Sequence, residues 1–356
     1  MSAPPGFLPW QHDIAEQWLG RRERFSHAWL IHGLAGIGKR RFALAAAASL
    51  LCESPQRGIA CGRCRACAWV ASGNHPDLRR IRPDAVAAQE GEDAADEAAE
   101  PAGGSARKAP SRDIRVEQLR ALHDWFNTAT HRGGWRVAVL YPAEALNVIS
   151  ANALLKVLEE PPANTVFLLT ADAPDRLLPT LVSRCRRLPL SVPPPEQCLP
   201  WLREQGLAEP GPWLAVAGGA PLLALERAQS GEDHACPAWL KQLLSPLAQG
   251  GAPEIGLLAD LLEKQAPAAW IDALQRLFVD LSLAAVQVPV RYFPEQEKGL
   301  RAIAQRASRE RLAEAAKWLA SQRAVADHPL NAKLFTHAAL QRVVQACGPA
   351  ASTETV

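Results

Sequence analysis

The apolar run His27-Ala-Trp-Leu-Ile-His32 leads into the glycine-rich stretch Gly33-Leu-Ala-Gly-Ile-Gly38-Lys39, and an alanine- and leucine-rich segment, Arg40 to Leu51, follows. A GxxxxGK stretch between a strand and a helix wraps backbone N–H groups and a lysine around a polyphosphate. Gly33, Gly36, Gly38 and Lys39 are therefore the candidate cofactor-binding residues. The junction constrains the fold before it says anything about activity.

Further short apolar runs recur at Leu78 to Arg82, Arg136 to Leu140, Thr165 to Thr170 and Arg187 to Leu190. Buried runs separated by helical patterns imply a mostly parallel sheet covered on both faces, so residues 1–190 read as an α/β domain. Ser150 to Glu160 reads as a helix, with an N-cap serine, Leu154 and Leu158 one turn apart, and a stop at Pro161-Pro162. Between Asp84 and Ala106 there are seven acids and no bases. Such a composition offers little apolar area to offset ordering entropy, so 84–112 is expected to be a mobile acidic insertion.

The proline run after Ser191 marks a boundary. Beyond it 191–232 reads as a small helical domain, and 233–356 as an all-helical domain with breaks at Pro253, Pro289 and Pro329 and a frayed tail after Pro349. At 356 residues the chain has room for these separate cores. No run reaches the roughly 20 apolar residues of a membrane helix, and the start lacks the basic-then-apolar pattern of a secretion signal. A soluble cytoplasmic protein is the expectation. Lysine and arginine total 39 against 37 acids, so DNA contact would have to come from a local patch.

The phosphate loop lacks the chemistry of hydrolysis. The position after its lysine ordinarily holds a serine or threonine on magnesium; here it is Arg40, which cannot coordinate a cation. The second ligand ordinarily comes from an acid closing the third strand, yet Val137 to Leu140 run into Tyr141-Pro142-Ala143 before Glu144 appears. ATP and magnesium are not expected to be turned over here, although the loop can still attract an anion through Gly36, Gly38 and Lys39.

Cys52, Cys61, Cys64 and Cys67 follow a C-x8-C-x2-C-x2-C spacing, which suits tetrahedral zinc held by four thiolates. A site filled by four protein ligands leaves no place for water or substrate, so the zinc module 52–67 is assigned to stability. Arg63 and Arg65 between the ligands offset part of its negative charge. The competing reading is buried free thiols. The eleven tryptophans fall at apolar positions, so packing rather than base stacking is their expected role.

Four blocks in order carry a resemblance: HAWLIHGLAGIGKRRFA, the cysteine cluster, SANALLKVLEEPPANTVFLLTADAPDRLLPTLVSRC and GGAPLLAL. With them the chain resembles the delta-prime family of bacterial DNA polymerase III clamp-loader subunits. The resemblance implies an AAA+ P-loop module with a helical lid and an all-α C-terminal collar. It implies partnership with the gamma/tau and delta subunits in a hetero-pentamer that loads a sliding clamp onto primed DNA. It also implies that Arg184, in Ser183-Arg184-Cys185 after a helix from Asp175 to Leu181, reaches as a trans arginine finger toward ATP on a neighbouring subunit. The bland reading of Arg184 is a basic surface patch with Arg186 and Arg187. The lid stretch Gly218 to Leu223 lacks the nucleotide-sensing arginine of active relatives. Two other functions remain open at this point: an active AAA+ motor of the gamma/tau kind, and a zinc-stabilised DNA-binding protein.

Overall fold

The computed structural model describes residues 4–20, 25–91, 109–128, 130–131, 134–230, 234–323, 326 and 331–349. Its chain divides into two compact units, Met1–Cys198 and Leu199–Val356. In chain order the first unit contains α1 (His12–Leu19), β1 (Ala28–His32), α2 (Lys39–Leu51), α3 (Arg65–Ala71), β2 (Leu78–Ile81), α4 (Asp84–Gln89), α5 (Val116–Asn127), β3 (Arg136–Leu140), α6 (Val148–Glu159), β4 (Thr165–Ala171), α7 (Pro179–Arg184) and β5 (Arg186–Pro189).

The five strands form one parallel sheet in the order β2-β3-β4-β1-β5. Every residue of β3 and β4 is buried. That explains their uninterrupted apolar runs: a parallel strand covered by helices on both faces has no side that can face water. Leu140, Leu154, Leu158 and Phe167 share a core with Ile114 and Trp125 on one side of this sheet. Trp18, Trp29 and Phe42 pack at ring separations of 5.2 and 5.6 Å, so the aromatic residues here build core. Parallel pairing also brings the carboxyl ends of β1, β2, β3 and β4 to one rim, where ligands bind in sheets of this kind.

Three details differ from the sequence expectation. Helix α6 begins at Val148, because Asn147, not Ser150, is the cap; its side chain accepts the Ser150 N–H at 2.9 Å. The segment from Asp175 is not one helix: a single 3-10 turn, Pro174–Arg176, precedes α7, so Arg184 closes a helix rather than following one. The insertion expected at 84–112 is not shapeless at its start, where Asp84–Gln89 form α4 with an acid in the first turn. The remainder of the acidic stretch at 92–108, and the tail beyond 349, lie outside the described residues.

The second unit is helical, with α8 (Pro195–Glu204) at the point of division. It continues through α9 (Pro210–Val216), α10 (Pro221–Gln229), α11 (Ala238–Ala248), α12 (Ile255–Leu262), α13 (Pro267–Ala285), α14 (Glu297–Arg306), α15 (Arg309–Arg323) and α16 (Ala332–Cys347). Trp270, Leu274 and Phe278 on α13 lie at the centre of its core. Asp280 on the same helix is fully buried, and its carboxylate accepts the backbone N–H groups of Arg291, Tyr292 and Phe293 at 2.7 to 3.1 Å. A buried charge is tolerable when hydrogen bonds replace its lost water. Among the described residues no helix is long and apolar enough to cross a membrane.

Candidate functional site

The phosphate loop leaves the end of β1 in a form only glycine can take. A Cβ on Gly33 would lie 2.3 Å from the carbonyl oxygen of Leu190, and Gly36 and Gly38 have φ of 78° and 95°. The loop is braced from the N-terminal segment: buried Gln11 donates through Nε2 to the carbonyls of Ile37 and Gly38 at 3.3 and 3.0 Å, and Trp10 Nε1 donates to Ile37 O at 3.0 Å. The first-turn N–H groups of α2 have no intrahelical acceptor, so the backbone keeps the form of an anion cradle.

The charged side chains around that cradle meet other groups of the same chain. Lys39 is buried, with Nζ 2.5 Å from Asp172 Oδ1 and donating to Leu34 O at 2.6 Å. Asp172, just past β4, is itself fixed by the acid that follows β3: Glu144 Oε1 accepts the N–H groups of Asp172 and Ala173 at 2.6 and 2.7 Å. Glu144 therefore braces a neighbouring strand end. His32, at the end of β1, has its pKa lowered by burial and by the charges of Arg187 and Lys39.

Arg40 and Tyr141 stand at the two positions from which magnesium is ordinarily held. Both contact one carboxylate. Glu90, the residue that follows Gln89 at the end of α4, lies 3.1 Å from Arg40 Nη1 through Oε1 and 2.9 Å from Arg82 Nε through Oε2. The Tyr141 hydroxyl donates to the same Oε2 at 3.0 Å. Burial, with Glu90's charge adding and Arg82 opposing, pushes the Tyr141 phenol well above its ordinary pKa. Sequence reading missed Glu90 and Asp172. Glu90 is one acid among many in its insertion, while Asp172 could have been suspected from its place just after a strand paired with β1.

Arg184 is the last residue of α7, with its side chain 36% exposed. Nη1 donates to Thr180 O at 3.1 Å and Nη2 meets the carboxylate of Glu159 at the end of α6. The guanidinium thus sits at the surface of its unit, outside the core. Arg186, proposed above as its companion in a basic patch, lies over the Trp29 ring at 5.7 Å.

The four cysteines come together. Their sulfurs all lie within 4.8 Å of one another, and Cys52 and Cys64 are 3.8 Å apart. A tetrahedral ion with metal–sulfur bonds of about 2.3 Å requires sulfur edges of about 3.8 Å, so the donor set fits a metal of that kind. Local structure supplies the turns: Cys52 caps the end of α2, Cys64 caps α3 and accepts the Cys67 N–H at 3.4 Å, and Gly62 between them has φ of 72°. Buried Ser49 on α2 fixes the module by accepting the Ala60 N–H at 3.0 Å. Backbone N–H groups of Arg63 and Cys64 draw the Cys61 thiol down to about 6, whereas burial raises Cys52 and Cys67. Arg65 lies over the Trp69 ring at 5.0 Å.

Residues 15–194 match a family model described as DNA polymerase III, delta subunit. DNA polymerase III subunit delta' of Pseudomonas aeruginosa is 41% identical over 61% of this chain, a match spanning 60% of that protein. The subunit of the same name from Escherichia coli is 33% identical over 80% of each chain. DNA polymerase III subunit tau of Escherichia coli is 33% identical over 49% of this chain and 23% of its own length.

Proposed function

This chain belongs to the delta-prime family of DNA polymerase III subunits, and from that premise we propose that it is a non-hydrolysing partner within an ATP-driven clamp loader. In this reading it joins gamma/tau and delta subunits in a cytoplasmic hetero-pentamer that opens a sliding clamp and seats it on primed DNA. The observation that carries the reading is the fate of the two magnesium positions. Arg40 and Tyr141 meet in a common carboxylate, so neither position offers the cation a ligand while Glu90 is seated there.

The contribution of the chain is then geometric. Arg184 is assigned as a trans arginine finger: its guanidinium remains charged at any working pH and can hydrogen-bond two phosphate oxygens at once. Its surface position and its one carboxylate partner among the described residues allow it to exchange Glu159 for a phosphate brought by a neighbouring subunit. Residues 191–232 are assigned as an AAA+ lid and 233–356 as the collar through which subunits assemble.

The four cysteines are assigned to structural zinc, which would be held by Cys52, Cys61, Cys64 and Cys67. When bound it supplies a cross-link between the end of α2 and the start of α3. The residues themselves bring the thiolates together and orient them with backbone N–H groups.

Mixing the purified chain with gamma/tau and delta subunits and measuring particle mass tests the assignment. A complex containing all three is expected. A chain that remains free, or that binds DNA alone with strong salt sensitivity, would point instead to a zinc-stabilised DNA-binding protein.

A further inference from the structure

Hydrolysing P-loop sites hold a cation between a hydroxyl after the loop lysine and an acid after the third strand. The charges of that arrangement are redistributed here. The hydroxyl is replaced by the Arg40 guanidinium and the acid by the Tyr141 phenol, and between them lies a carboxylate, Glu90, which also takes Arg82 from the end of β2. We infer that Glu90 is a resident anion, a tethered carboxylate that occupies the degenerate site and keeps its cations from binding a polyphosphate. The inference deepens the functional reading above and rests on it: the site would be filled from within, beyond merely lacking magnesium ligands.

The geometry supports occupation over a chance surface pair. Glu90 is 16% exposed and Arg82 8% exposed, while Arg40 is 55% exposed. Charge pairs among water-accessible side chains contribute little, but Arg82 is buried, and taking one partner from a buried ion pair is costly. Two guanidinium groups and a phenol from three separate elements, the first turn of α2 and the ends of β2 and β3, converge on two oxygens. Lys39 is neutralised in the same manner by Asp172. Lys39, Arg40 and Arg82 therefore each meet a carboxylate of this chain before any phosphate arrives. Helix α4 is the device that delivers Glu90, which gives the first part of the acidic insertion a role its composition did not suggest.

The consequence is a latent polyphosphate site. Replacing Glu90 with glutamine keeps its shape and takes away the carboxylate charge that meets Arg40 at the first turn of α2. A polyphosphate can then take the place vacated by the negative charge.

The test is calorimetric titration of the full-length chain with inorganic tripolyphosphate in buffer without added magnesium. Wild type is expected to bind weakly, Glu90→Gln at least tenfold more tightly, and the double variant Glu90→Gln with Arg40→Ala to lose that gain. A folded Glu90→Gln protein that binds no more tightly than wild type overturns the inference. Arg40→Ala alone, at an exposed side chain, guards against misfolding of the first variant: it is expected to match wild type. Saturable wild-type binding that Arg40→Ala abolishes would mean that Arg40 was free for phosphate, and would equally overturn it. The readout is binding without turnover, so magnesium-dependent ATP hydrolysis by the unaltered chain would refute the functional reading through a separate measurement.

Discussion

Arg184→Ala separates a role across a subunit boundary from a role inside the chain, because the two predict effects of very different size. Among the described residues Arg184 makes an ion pair with Glu159 and a hydrogen bond to Thr180 O, with side chains 36% and 49% exposed for the pair. Ion pairs so accessible to water contribute about 0–1 kcal/mol. For a unit of this size that corresponds to a melting shift of about 4 °C or less. An arginine finger contributes about 10³-fold or more to turnover, equivalent to about 4 kcal/mol of transition-state stabilisation. The substitution should therefore leave folding and assembly intact and lower kcat for ATP in the reconstituted complex by roughly three orders of magnitude. Arg184→Lys should rescue little, because an ammonium cannot make the paired hydrogen bonds of a guanidinium. The assay is steady-state ATP turnover by the complete complex with clamp and primed DNA, beside a particle-mass measurement on the same sample. Unchanged kcat in a correctly assembled complex would refute the reasoning.

Protein purified without metal-affinity steps should contain one zinc per chain by elemental analysis, and Cys64→Ser should lower that content sharply; metal-free protein that melts and assembles like the untreated chain would contradict the assignment. Burial raises Cys185 and Cys347 to about 12 and Cys198 and Cys236 to about 11. These four should resist iodoacetamide in native protein at pH 8 and react only on unfolding, as read by mass spectrometry. The unfolded thiols ionise from about pH 8.5 while the native ones stay neutral, so these groups lower stability as pH rises above that value. Asp280→Ala would take the carboxylate acceptor from the N–H groups of Arg291, Tyr292 and Phe293, of which the Phe293 group is buried, at about 1–3 kcal/mol for a buried group. A loss of about 1–3 kcal/mol is expected in chemical denaturation, and no measurable loss would show that the clamp on residues 291–293 matters little.

The legible part of this protein is the part that is buried. β1, β3 and β4 announce themselves because a covered parallel strand must be apolar throughout, and the glycine pattern of the loop follows from backbone geometry that other residues cannot adopt. The cysteine module was equally readable, since chelating turns fix ligand spacing in sequence. Where local signals competed, reading failed by a turn. Val148 and Ile149 are exposed at the start of α6, and they concealed a helix whose cap is Asn147. The charged contacts at the rim were not legible at all. Lys39 with Asp172, and Arg40 with Glu90, join residues far apart in sequence, and only the order of strands in the sheet brings them together. Glu144 could be identified as the first acid past β3, but its work of holding Asp172 depends on the neighbouring strand end.

On the reading proposed for it, the chain's own phosphate loop does not turn over ATP. Steady-state phosphate release by the purified chain alone, with saturating ATP and magnesium and with Lys39→Ala as the control, tests it most directly. The chain and its Lys39→Ala variant should release phosphate at the same background rate. Magnesium-dependent release that Lys39→Ala abolishes would contradict it.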